Sequence, residues 1–355
     1  MTNKQQSTNA LTSKNIANRL IVSCAGLRLS PEERSLFKEL KPWGVILFAR
    51  NIESPSQLKL LLDDFRLALQ REQLMVLIDQ EGGRVSRLPQ PHWRLPPSPQ
   101  VFAKMYQHDP THAIIACFLN HQLIAHELKN AGINVNCAPM LDVPQTDAAG
   151  IIHERAFGAN IQQVIDLGKA AIDGLQSMHV EPVLKHMPGH GRGRSDSHFA
   201  LPKVEADISE LEAVDFAPFL AFKHQSMGMS AHIVYEDIDA QLPGSISPKV
   251  IEQVIRGSID FDGLLMTDDI NMQALSGTVA QRSQAAWSAG ADIVLHCSGD
   301  FEEMRSLLSV VPPLEGESLR RAKTAEHLAN KPLPEIDPSS IIHELNQLLK
   351  YAERF

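Results

Sequence analysis

Eight times along this chain a short apolar run passes into a polar cluster and then into a helical pattern, and that repetition limits what it can fold into. The runs cover residues 20–27, 44–48, 74–78, 133–139, 180–184, 227–232, 263–267 and 292–296. Short, nearly continuous apolar runs bounded by turn residues are the mark of strands buried on both faces. Between them, apolar residues recur at helical spacing, as in Ile161, Val164, Ile165, Gly168, Ile172 and Leu175 behind a capping Asn160. Asp109-Pro110 joins an N-cap to a first-turn proline, and Ser30-Pro31-Glu32-Glu33 has the capping-box spacing. Strands alternating with helices over most of a 355-residue chain predict an α/β fold, a single (β/α)8 TIM-type barrel. A doubly wound open sheet would carry a glycine-rich phosphate loop after its first strand, and Cys24-Ala25-Gly26-Leu27 is not one. Residues 1–18 are polar and read as a flexible extension. Residues 19–355 form the barrel domain, with closing helices over 317–330 and 339–351.

A barrel places its chemistry just past the C-terminal ends of its strands. The polar residues of this chain keep to those points. Asp79 follows the third run, Asp142 the fourth, Lys185 and His186 the fifth, His232 ends the sixth, and Asp268-Asp269 follow the seventh. Scattered surface charge would not favour one end of the strands.

The densest cluster runs from Lys185 to His198, with three histidines, a lysine and an aspartate within fourteen positions. Pro188, Gly189 and Gly191 exclude a regular helix there, so ionisable groups sit on shaped loop backbone. Within it, Asp196-Ser197-His198 has the form of a dyad in which an aspartate orients and polarises an imidazole able to donate and accept a proton near neutrality. A nucleophilic Ser197 lacks the strand–turn–helix elbow it would need. His186 and His190 are four apart, but Pro188 and Gly189 break the helix that a two-histidine zinc site requires, so no metal is expected. Of Asp268 and Asp269, only one can point squarely into the barrel mouth, because neighbours on a strand face opposite ways. The loop from Asp79 to Arg87 supplies carboxylate, two arginines and a glycine pair, which suits a hydroxyl-rich ligand. Glu81 and Arg84 are expected to pair with each other.

Composition narrows the rest. A net charge of -9 without a basic run argues against nucleic acid. No apolar stretch approaches a membrane span, so no membrane partner is expected. Cys24, Cys117, Cys137 and Cys297 lie far apart without metal-type spacing and read as free thiols of a reducing compartment. Ile21-Val22-Ser23-Cys24 has the look of a lipoprotein box, but the apolar run before the cysteine is far shorter than the roughly 7–15 residues of an export signal. The expected location is therefore cytoplasmic.

These motifs together resemble the single-domain bacterial β-N-acetylhexosaminidases of glycoside hydrolase family 3. The landmarks are residues 44–51 (GVILFARN), 78–87, 136–143 (NCAPMLDV) and 154–158 (ERAFG), then 185–191 with 196–198, 230–232, and 266–269. The resemblance covers roughly residues 19–330. It implies a retaining exo-enzyme that removes terminal N-acetylglucosamine from peptidoglycan fragments during cell-wall recycling, without a cofactor and as a monomer. It also implies that Asp268 is the nucleophile, His198 the general acid/base, and Asp196 its partner. Asp79, Arg87, Arg155, Lys185 and His186 match the positions that hold the sugar. Two departures stand out. Met187 replaces a usual phenylalanine, and Arg192-Gly193-Arg194 occupies a loop that is often acidic or threonine-rich, where the arginines are expected to meet substrate carboxylates. A metal-dependent barrel hydrolase using His186, His190, His198 and Asp268 is the alternative, but it lacks the usual His-x-His pair after the first strand. A catalytically silent sugar-binding barrel is the third reading.

Overall fold

The computed structural model describes residues 16–145, 154–193 and 201–352. Nine parallel strand segments form its main sheet. They are β1 (Asn18–Val22), β2 (Pro42–Leu47), β3 (Met75–Ile78), β4 (Val135–Asn136), β5 (Glu181–Pro182), β6 (Leu184–Met187), β8 (Met227–Ser230), β10 (Leu264–Asp269) and β11 (Ile293–His296). A separate pair, β7 (Lys203–Val204) and β9 (Val234–Tyr235), lies parallel outside the ring.

The ring closes because β5 and β6 are two halves of one strand. β5 pairs with β4, and β6 pairs with β8. Pro182 has no N–H to donate, so the ladder is interrupted there. The Val183 N–H bridges the break by reaching the carbonyls of Asn136 and Ala138. Eight barrel strands result, as expected, with β11 returning beside β1. Some bounds differ from the sequence reading. The first strand ends at Val22 rather than Leu27, because the Cys24 and Gly26 carbonyls turn to the Asn51 side chain. The fifth runs on to Met187, which carries Lys185 and His186 on the strand itself.

Side-chain alternation divides the core in two. Ile21, Ile46, Leu77, Val183, Met266 and Leu295 fill the barrel interior. Leu20, Val45, Val76, Leu184, Leu265 and Val294 face the surrounding helices. Both faces are dry, which is why the strands read as apolar runs without a polar alternate. The helices begin where their caps predict. Ser30 completes a capping box with Glu33, Asp109 caps Pro110–Asn130, and Asn160 caps Ile161–Ser177. The helix Gly316–Ala329 closes the lower end, setting Ala322, Ala325 and Ala329 against Trp43 and Met75. The Trp43 indole N–H donates to Glu326 at 2.7 Å, satisfying the one polar atom of a fully buried ring. With its lower end filled among the described residues, the barrel opens at the C-terminal ends of its strands. Among the described residues no helix is long and apolar enough to cross a membrane.

Candidate active site

A cavity of about 380 Å³ opens at the upper end of the barrel. Asp79, Arg87, Arg155, Lys185, His186 and Asp268 all line it, together with Glu81, Asp142, His190 and Asp269. Ile46, Met140, Met229 and Leu295 supply an apolar floor, and Phe48 stands at its side.

Strand register decides which aspartate of the pair faces inward. Leu264 and Met266 point into the barrel, so Asp268, two residues on, does so as well. Asp269 turns back onto the loops, where its Oδ1 accepts the N–H groups of Asn271 and Cys297, both at 3.1 Å. Its own N–H donates to Asp268 Oδ1 at 2.8 Å. The two carboxyls accordingly differ in acidity. Burial raises Asp268, but the charge of His186, the Asp269 N–H and Lys185 outweigh it, and its pKa falls to about 2. Asp269 is pushed up to about 6, chiefly by burial and further by the charge of Asp268. Asp268 is the stronger acid of the two, ionised throughout the range in which Asp269 titrates.

Opposite it lies a buried ionic lattice. Lys185 Nζ is 2.8 Å from Asp79 Oδ1 and 2.6 Å from Glu81 Oε1. Arg155 grips both oxygens of Glu81. Burial opposes the charge of Lys185 and of Glu81, yet their partners prevail, holding the lysine above and the glutamate well below their ordinary pKa values. Arg87 Nη2 stands 3.9 Å from Asp79 Oδ2, beyond a normal hydrogen bond.

On the adjoining wall Asp142, fully buried, accepts from His186 Nδ1 at 2.8 Å and from the His190 N–H at 2.7 Å. A carboxylate acceptor requires the hydrogen on His186 Nδ1, so Nε2 is left to face a ligand. The His190 ring packs edge-on to His186, with centroids 5.6 Å apart. Burial lowers the pKa of His190. The loop is shaped by glycine. A Cβ at Gly191 would lie 2.0 Å from the Val143 carbonyl oxygen, so no larger residue lets these segments meet.

An ionised carboxylate pointing into a cavity of ordered polar groups, at the open end of a barrel, can act as a nucleophile or base towards a polar ligand held there. The glycosyl hydrolase family 3 N-terminal domain matches residues 12–330. The chain belongs to glycosyl hydrolase family 3. The β-hexosaminidase of Alkalilimnicola ehrlichii is 38% identical over 283 residues, which are 79% of this chain and 80% of that protein. That of Bordetella avium is 32% identical over 300 residues, 83% and 85% of the two chains. NagZ of Neisseria gonorrhoeae, solved in complex with N-trifluoroacetyl-D-glucosamine, superposes with a TM-score of 0.81 at 26% identity, covering 95% of this chain and 97% of its own. The expected family, fold and glycoside hydrolase class are therefore borne out.

Within this family 3 barrel, the structure brings together every expected site residue that it describes. Asp196 and His198 fall at 194–200, outside the described residues. The pairing expected of Glu81 and Arg84 is overturned. Glu81, only 2% exposed, faces Arg155 and Lys185, while Arg84 meets Glu154 at 3.3 Å. Gly82 sets this turn: its φ is +104°, and a Cβ there would stand 2.1 Å from the Pro97 carbonyl oxygen. The expectation for Arg192 is also corrected. Its guanidinium is held by Asp215 at 2.7 Å and Glu210 at 2.8 Å, so it braces the loop instead of offering itself to a ligand. Arg194 lies outside the described residues. Met187 is buried in the helix-facing core, where it and Phe261 close over Gly228, a packing position away from the cavity. Asp142 had been noted only for its place after the fourth strand. That place, equivalent to that of Asp79 after the third, was the available signal for its part in holding His186.

Proposed function

We propose that the protein is a retaining exo-β-N-acetylglucosaminidase acting on peptidoglycan fragments, with N-acetylglucosaminyl-1,6-anhydro-muramic acid, with or without its peptide, as the substrate. The observation that carries the reading is the inward, ionised Asp268 facing the polar lattice of Asp79, Lys185, His186, Arg87 and Arg155. The β-hexosaminidase name of the sequence relatives and the glucosamine analogue held by NagZ support the same sugar.

In the first step an Asp268 oxygen attacks the anomeric carbon and the glycosidic C–O bond breaks. His198, oriented by Asp196, gives its proton to the departing oxygen. In the second, His198 takes a proton from water, whose oxygen attacks the anomeric carbon and releases the Asp268 carboxylate. Two displacements at one carbon retain its configuration. Asp79 accepts from ring hydroxyls, and the cationic groups of Arg87, Arg155 and Lys185 donate. His186 offers the Nε2 that Asp142 leaves free. Two of the Arg155 donors are already committed to Glu81, so its contribution is one remaining edge together with a fixed local charge.

The test is hydrolysis of a chromogenic β-N-acetylglucosaminide beside the matching β-glucoside, each with and without chelator. Strong preference for the N-acetyl sugar, unaffected by chelator, is expected. Equal rates on the two sugars, or loss of activity with chelator, would overturn the reading. Release of N-acetylglucosamine from the anhydro-muramyl disaccharide then tests the substrate.

A further inference from the structure

His232 lines no part of the cavity and is fully buried behind it, yet both of its ring nitrogens are engaged. Nδ1 meets the Ser245 hydroxyl, and Nε2 is 2.9 Å from the backbone carbonyl of Asp269. A carbonyl can only accept, so the hydrogen sits on Nε2. The neutral ring then accepts the Ser245 O–H at Nδ1. Burial favours this neutral form by lowering the histidine pKa. The tautomer is thus set from both sides.

The bond to Asp269 acts on Asp268. The ladder with β11 is irregular here, its register shifting between Met266 and Asp269, which pairs again with Leu295. Asp269 is held there by further bonds as well. Its carboxylate takes two backbone N–H groups, its carbonyl takes His232, and its N–H supports Asp268 Oδ1. Of these anchors, Cys297 follows the end of β11 and His232 follows the end of β8, so Asp269 is tied to both neighbouring strands, and His232 is the tie on the β8 side.

We propose that His232, locked in its Nε2–H tautomer by Ser245, is a positioning residue that fixes the end of β10 and so aims the Asp268 carboxylate at the anomeric carbon. This rests on Asp268 being the nucleophile. A nucleophile displaced by about 1 Å costs on the order of 10²-fold in rate while leaving ground-state contacts intact. The effect therefore falls on kcat and on formation of the glycosyl-enzyme. The sugar-binding groups Asp79, Lys185 and His186 stand on other strands.

The experiment compares His232→Asn, His232→Gln and Ser245→Ala with Asp268→Ala, on an aryl N-acetylglucosaminide. Glutamine can place an amide N–H where Nε2–H was, whereas asparagine is too short. His232→Asn should lower kcat about 10–100-fold, with KM and the inhibition constant of N-acetylglucosamine within about threefold of wild type. His232→Gln should recover most of that loss. Ser245→Ala frees the ring to take the other tautomer and should lower kcat by a smaller factor, again without weakening inhibitor binding. If His232→Asn does not fold, the glutamine and Ser245→Ala proteins decide alone. Wild-type kcat in Ser245→Ala, or losses carried by KM and inhibitor binding, would overturn the proposal. If Asp268→Ala itself keeps turnover, the nucleophile assignment fails. If it is inactive while His232→Asn has wild-type kcat, only the positioning role fails.

Discussion

Arg155 lays its guanidinium against the carboxylate of Glu81, with Nε and Nη2 each 2.8 Å from a different oxygen. The same glutamate holds Lys185, so one buried anion organises two of the cations on the cavity wall. Such a bidentate pair fixes direction as well as charge.

Replacing Glu81 by alanine strands Arg155 and leaves Lys185 with Asp79 as its carboxylate partner. Breaking a buried pair costs about 3–5 kcal/mol, so the thermal midpoint should fall sharply and KM for N-acetylglucosaminides should rise. Because the folded-state pKa of Glu81 is depressed, its contribution is complete above the unfolded value of about 4.3 and is lost as the pH falls below it. Acid unfolding monitored by circular dichroism should show this difference between wild type and Glu81→Gln narrowing below about pH 4.

Arg192→Ala should damage stability and leave substrate preference alone. Its partner Asp215 is buried, and burial raises that carboxyl to about 6 even with the arginine beside it. Without Arg192 an ionised Asp215 is uncompensated, and a loss of about 3–5 kcal/mol is expected near pH 7.5. Losing Arg192 raises the Asp215 pKa further above about 6, so the loss should shrink as the pH drops towards about 6, below which the carboxyl is protonated with or without the arginine. Thermal melts at several pH values measure this. A selective loss of kcat/KM on an anionic disaccharide, with an unchanged melt, would contradict it.

His198→Ala should slow substrates with poor leaving groups far more than activated aryl glycosides, since only the former need protonation. General acid assistance is worth about 10²–10⁴-fold. Asp196→Ala should give a smaller loss of the same kind. Kinetics across a series of aryl leaving groups would reveal equal losses if either residue had only a structural role.

Much of this molecule could be read from its sequence because the governing patterns are local. Two-sided burial wrote the strands as apolar runs, the caps at Ser30, Asp109 and Asn160 marked helix starts, and strand ends located Asp79, Lys185, His186 and Asp268. Pairings between distant segments were hidden. Glu81 has Arg84 three residues away and Arg155 seventy-four residues away, and no local pattern says which it meets. The barrel decides, because it brings Lys185 on β6 and the loop carrying Arg155 to the turn that follows β3. Arg192 was misjudged for the same reason, its partners Glu210 and Asp215 lying on and just beyond a helix further along the chain.

The nucleophile is the centre of this account, and trapping tests it directly. The enzyme should be inactivated with a 2-deoxy-2-fluoro glycoside, digested, and the modified peptide sequenced by mass spectrometry. A single sugar ester on Asp268, absent from Asp268→Ala, is the predicted result. An ester on Asp269, or turnover by Asp268→Ala at the wild-type rate, would contradict it.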